Sequence, residues 1–203
     1  MRESIPDIII ERAAHIWAES LRNFPSHQNG DESLQGGMTV VLATLSAARS
    51  RDGVNDLDGR IDTFETKLVE KLKFLREHDG EETGGVLYKG HPGEQPEHYR
   101  FPHHIGCDYD PDAVLSEIAA AAEIPANLFS WKSEVWMGTD HVSESFGRGT
   151  EDTYHYPVVL GDGKIKWLIC KLRGSDMTKV IAIAKKSFYE RHRDAETMFK
   201  LQD

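Results

Sequence analysis

Apolar side chains recur at helical spacing near the start of the chain. Ile5, Ile8, Ile9, Ala13, Ile16, Trp17, Ser20, Leu21 and Phe24 form one stripe, with Glu11, Arg12, Glu19 and Arg22 on the other side. That period predicts an amphipathic helix over residues 4–23. Ser4 and Asp7 around Pro6 open it, and Pro25 with the Asn29-Gly30 pair ends it. A second stripe, Met38, Val41, Leu42, Leu45 and Ala48, predicts a helix over residues 35–51. A third, Phe64, Leu68, Leu72 and Leu75, predicts a helix starting at Asp62, where Asp62 and Glu65 match an acidic capping pattern.

The pattern changes at residue 79. Six of the 17 glycines and four of the eight prolines fall in residues 79–111. This predicts one short strand over 84–88 inside an otherwise irregular linker. Order returns at Asp110-Pro111, an expected N-cap and first turn, and the helix runs through Val114, Leu115, Ile118, Ala119 and Ala122. Strand-like runs follow at 131–137, 142–146, 154–160 and 164–172, the last two joined by a Gly161-Asp162-Gly163 hairpin signal. In the final run Ile165, Trp167, Ile169 and Lys171 alternate with Lys166, Leu168 and Cys170. A closing helix is expected from Asp176 through Val180, Ile181, Ile183 and Ala184 towards Phe199. The expected class is α+β: an N-terminal three-helix layer, then an antiparallel sheet of three or four strands flanked by helices. The expected organisation is a helical region 1–78, an irregular His/Pro/Gly-rich linker 79–110 and an α+β region 111–203. Whether the last forms one compact unit with 1–78 stays open.

Composition places this pattern in an ordinary globular chain, 39% hydrophobic and 29% charged. No apolar run approaches the ~18 residues of a membrane span, and no secretory leader pattern is present. With two cysteines, Cys107 and Cys170, lying far apart, a reducing cytoplasm is the expected compartment. The net charge of −10 is segregated. Residues 79–162 hold 16 Asp/Glu against 4 Lys/Arg, whereas residues 163–203 hold 10 Lys/Arg against 5 Asp/Glu. The acidic middle disfavours nucleic acid; only the basic end is suited to a polyanion.

Three constellations could carry chemistry. His98, His103, His104 and Cys107 cluster near the end of the linker, and imidazole with thiolate is the usual zinc donor set. Their spacing matches no finger. Residues 54–65 resemble an EF-hand calcium loop. Asp56, Asp58 and Asp62 stand at loop positions 3, 5 and 9, Gly59 at position 6 and Glu65 at position 12, though Val54 offers no oxygen at position 1. The resemblance implies calcium binding by Asp56, Asp58, Asp62 and Glu65. Finally, Trp131, Trp136, Arg148, Tyr154 and Tyr156 are expected to form an aromatic binding surface on the sheet, with Asp140, His141 and His155 as acid–base candidates. His141-Val142-Ser143 has the H-x-S form of the two-histidine phosphoesterases, without a second copy.

No Walker loop, dinucleotide fingerprint, nucleophile elbow or H-E-x-x-H motif occurs. The leading expectation is a non-enzymatic binding or regulatory protein acting on a protein partner through an acidic or aromatic surface. In its sharpest form, carboxylates at phosphate-like spacing occupy a basic site on that partner. Homodimerisation through the first helix stays open. The alternatives are a small histidine-based hydrolase or transferase, with zinc as the candidate metal, and a calcium-binding protein.

Overall fold

The computed structural model describes residues 4–23, 53–81, 98–146, 151–160, 163–173 and 195–197. Helix α1 spans Asp7–Arg22 and buries Ile9, Ile10, Ala13, Ala14, Trp17 and Leu21. Helix α2 spans Leu57–Glu77, and Ile61, Phe64, Leu68, Leu72 and Leu75 are all 0% exposed. Two helices with such stripes bury them against each other and a third layer. Ion pairs at both ends show that the helices run antiparallel: Arg76 reaches Asp7 at 2.5 Å, and Arg22 reaches Asp62 at 2.5 Å.

Helix α2 begins five residues earlier than the capping pattern predicts. Asp56 adopts a left-handed conformation (φ 54°, ψ 47°) and its carboxylate folds over the first turn. Gly59 makes this possible, because a Cβ there would lie 2.5 Å from Asp56 Oδ2. Asp62 is therefore not the cap; its side chain serves the α1 seam instead. The expected helix over 35–51 and strand over 84–88 lie outside the described residues.

The sheet is larger than expected. Strands β1 (His104–Cys107), β2 (Ser133–Met137), β3 (Val142–Ser145), β4 (Glu151–Leu160) and β5 (Ile165–Arg173) form an antiparallel meander in that order. A short β6 (Ala195–Thr197) pairs with the far end of β4. Strand β1 lies inside the stretch expected to be irregular, with Ile105 opposite Val135 and Cys107 opposite Ser133. A closing helix reaching Phe199 is excluded by β6, while residues 176–194 lie outside the described residues. The architecture is α+β, but with five meander strands plus β6 where three or four were expected.

Helix α3 (Ala113–Ala121) connects β1 to β2, followed by a single 3-10 turn (Ala126–Leu128). Its cap is Asp112, not Asp110. Asp112 Oδ1 accepts from Leu115 N at 2.9 Å, and Oδ2 accepts from Gly106 N at 2.7 Å, so one carboxylate fastens α3 to β1. Pro111 is displaced from the helix by its bridge to Cys107.

Helix α1 packs over β2 and β3 and α3 against β1, α2 packs on α1 and α3, and all three share one core with the sheet. Trp17 meets Phe129 and Phe146 at centroid distances of 5.8 and 5.6 Å, and Phe64 meets Phe129 at 5.7 Å. A second apolar cluster, Tyr154, Tyr156, Val158, Leu168 and Cys170, lies on the opposite face of β4–β5. Among the described residues, no helix is long and apolar enough to cross a membrane.

Candidate functional site

The face of β1–β3 turned away from the helices brings aromatic, imidazole and carboxylate groups together. Alternation along β2 buries Ser133, Val135 and Met137 and turns Glu134 and Trp136 outward. The β1 partner of Trp136 is His104. Their rings meet at 4.4 Å, and the indole N–H donates to Glu134 at 3.2 Å. His104 Nε2 also lies 3.7 Å from Glu134. Gly106, opposite Glu134, keeps this surface low, since a Cβ there would come within 3.1 Å of the His104 ring. Trp136 thus stays 49% exposed while its orientation is held from two sides.

The other end of the β1–β2 ribbon carries a second aromatic group. Tyr109, 62% exposed, faces Trp131 at 6.0 Å. Lys132 lies over the Tyr109 ring at 4.8 Å and pairs with Asp108. Tyr109 stands two residues past the end of β1, where the chain bends. Between the two aromatic groups stand Glu134 and Asp108. The ribbon can therefore present flat apolar rings and carboxylates together.

A third group lies where β2 turns into β3. Asp140 Oδ1 accepts from His141 Nδ1 at 2.6 Å, and the His141 ring packs against Tyr154 and Tyr156 at 5.7 and 5.4 Å. Gly138 leaves room for the His141 ring, because a Cβ there would fall 2.9 Å from His141 Cε1. Burial pushes the pKa of both tyrosines above its ordinary value, with Asp152 adding to the effect at Tyr154 and Asp140 at Tyr156. Both phenols therefore stay protonated through the neutral range. The sequence-predicted residues Asp140, His141, Tyr154 and Tyr156 come together here.

His155 does not join them. Its side chain points to the opposite face, where it is 3% exposed. Arg12 Nη2 donates to its Nδ1 at 2.9 Å, and its Nε2 lies 3.1 Å from Glu144 Oε1. A guanidinium can only donate, so Nδ1 accepts and the hydrogen sits on Nε2. The Arg12 guanidinium also lies over Trp167 at 5.2 Å, and burial lowers its affinity for its proton. This chain of three residues ties α1 to β4 and β3. The helical period places Arg12 on the polar side, but its position beside the stripe brings it under the sheet.

The metal candidates are dispersed. His104 faces outward and Cys107 inward on the same short strand. His103 packs on Phe101 at 5.3 Å, and His98 lies beside Tyr99, whose backbone pairs with Glu81 at the end of α2. Burial, with Asp110, Asp112 and Asp108 adding, pushes the Cys107 thiol up to about 12, which disfavours the thiolate that zinc needs. Among the described residues, no group of three or more His, Cys, Asp or Glu converges as a metal site. The calcium candidates Asp58, Asp62 and Glu65 stand on helix α2, not on a loop. Asp62 and Glu65 engage Arg22, and Glu65 also meets His15 at 2.9 Å. Arg148 lies outside the described residues.

Tyr109 and the His104 ring were not legible as partners of the tryptophans. The pairing that joins them depends on β1, whose four residues carry too short an alternation to announce a strand. No protein-family model matches the chain, and neither the curated proteins nor the solved structures searched contain a match.

Proposed function

We propose that this chain is a cytoplasmic, non-enzymatic binding protein that regulates a basic protein partner through the outer face of the β1–β2 ribbon. The observation that carries the proposal is Trp136, 49% exposed and held by His104 and Glu134. Half-exposed, pre-oriented tryptophans are frequent energetic centres of protein interfaces, and a fixed ring loses little conformational entropy on binding. The stretch of sequence that holds it is one-sided in charge, 16 Asp/Glu against 4 Lys/Arg over residues 79–162. Such a field attracts a cationic surface and repels nucleic acid.

The test is affinity capture from the native host with the wild-type protein, Trp136→Ala and Glu134→Lys in parallel. A partner retained by the wild type and lost by both variants supports the proposal. A partner retained equally by all three, or one insensitive to salt, contradicts it.

A second reading is a histidine-based hydrolase or transferase. It is favoured by the Asp140–His141 pair, in which the carboxylate orients the ring and leaves Nε2 as the basic nitrogen. A panel of ester and phosphoester substrates tests it; turnover abolished by His141→Gln supports it, and turnover unchanged in that variant removes it.

A further inference from the structure

We infer that Trp136 and Glu134 form an arginine-binding site, which takes the guanidinium group of one partner arginine over the indole ring and against the carboxylate. The site belongs to the interface proposed above and rests on that reading. It names the side chain that the basic partner supplies there.

Strand register sets the surroundings. The outward positions are His104 and Gly106 on β1, Glu134 and Trp136 on β2, and Ser143 and Ser145 on β3. Glu134 stands between Gly106 and Ser145, and Trp136 between His104 and Ser143. Gly106 has no side chain and the serines are short, so the Glu134 side chain remains 51% exposed. Its Oε2 accepts from the indole N–H at 3.2 Å, which fixes the carboxylate beside the ring. His104 Nε2, at 3.7 Å, is beyond hydrogen-bond reach. Among the described residues, no Lys or Arg pairs with Glu134 or lies over Trp136.

The other end of the ribbon shows what such a pair of groups holds. There Lys132 lies over the Tyr109 ring at 4.8 Å and pairs with Asp108. A ring and a carboxylate together hold a cation that the chain itself supplies. Trp136 and Glu134 repeat the pair, with tryptophan as the stronger π partner, and leave the cation to a second protein. Arginine suits the pair better than lysine. Its guanidinium is flat, so it can stack on the indole while its in-plane N–H groups donate to Glu134. An ammonium is more strongly hydrated and makes the ionic contact without the stacking.

The test is an NMR titration of the isotope-labelled full chain, read at the Trp136 indole N–H, which is assigned with Trp136→Phe. The probes are the blocked peptides Gly-Ser-Arg-Ser-Gly, Gly-Ser-Lys-Ser-Gly and the analogue with citrulline at the centre. The arginine peptide should shift the Trp136 resonance to saturation, with a midpoint of about 10 mM or below, and leave those of Trp17 and Trp167 in place. The lysine peptide should bind severalfold more weakly. Citrulline keeps the shape and loses the charge, so its peptide should give no saturable shift. Glu134→Gln keeps an oxygen for the indole N–H and should weaken the arginine peptide about tenfold, with the spectrum of the free variant reporting its fold. No saturable shift with arginine, equal binding of either other peptide, or equal affinity in Glu134→Gln overturns the inference. A captured partner that still depends on Trp136 would then keep the interface and remove only the arginine. Conversely, an arginine peptide that binds while no captured protein depends on Trp136 supports the site and removes the proposed function.

Discussion

Removing the acceptor at Glu144 should cost more than its place near the sheet surface suggests. His155 is 3% exposed and its Nε2–H has Glu144 Oε1, at 3.1 Å, as its acceptor. In Glu144→Ala the donor stays buried and loses that partner. Leaving a buried donor unmade costs about 1–3 kcal/mol. Glu144 itself keeps 20% of its side chain exposed, so some water reaches the gap and the middle of that range, about 2 kcal/mol, is expected. For a chain of 203 residues, this corresponds to a fall in Tm of about 4–8 °C. Glu144→Gln keeps a carbonyl oxygen at the same place and should cost less than about 1 kcal/mol. The assay is urea denaturation of the three proteins followed by circular dichroism. Nitrogen NMR of His155 should report the tautomer with hydrogen on Nε2. If Glu144→Ala matches the wild type, or if the hydrogen sits on Nδ1, the three-residue chain from Arg12 to Glu144 does not hold α1 to the sheet.

Other consequences follow from single contacts. Asp112→Ala removes both the α3 cap and the tie to Gly106, and should lower stability by about 1–2 kcal/mol in urea denaturation, with Asp110→Ala near neutral. The Cys107 thiol, buried and pushed up to about 12, should resist an exposed-thiol reagent at neutral pH and become reactive on unfolding. Fast labelling of Cys107 in the native protein would contradict its burial. The hydrogen bond from Arg76, reinforced by one from Lys73, holds the Asp7 carboxyl below its ordinary value of 3.8. The stability it contributes is therefore full above about pH 3.8 and is lost as pH falls through the lower, folded value. The difference in urea midpoint between wild type and Asp7→Asn should be present at pH 6 and shrink towards zero at strongly acid pH. Asp7 is 55% exposed, so the difference should be small and should diminish with added salt.

Elements with a long, regular period were legible in the sequence. The Ile9–Trp17 stripe of α1 and the apolar positions from Phe64 to Leu75 of α2 appear as expected, because burial against a common core is what sets such periods. Strands β2, β3, β4 and β5 also fall where alternation or an apolar run places them. Local backbone choices were not legible. The start of α2 depends on Asp56 entering the left-handed region beside a glycine, and the cap of α3 depends on Asp112 reaching Gly106. Both are consequences of tertiary contact. Strand β1 was hidden because His104–Cys107 gains its strand character from pairing with β2, and β6 likewise from β4. The same limit applied to the site. Tyr154 and Tyr156 share a face with period two, and the Asp140–His141 neighbours could be read directly. The burial of His155 could not, because its partner Arg12 stands 143 positions away in the chain.

The proposed function depends most directly on whether Trp136 and the Glu134 carboxylate beside it are the energetic centre of a protein interface. Isothermal titration of the captured basic partner against wild type, Trp136→Ala and Glu134→Lys, each at low and high salt, measures this. The expected result is a loss of about 2 kcal/mol or more, roughly thirtyfold in Kd, for Trp136→Ala at both salt concentrations. Glu134→Lys should lose most of its effect at high salt, as screening removes the charge contribution. Equal affinities for all three proteins, or a wild-type affinity unchanged by salt, would contradict the account.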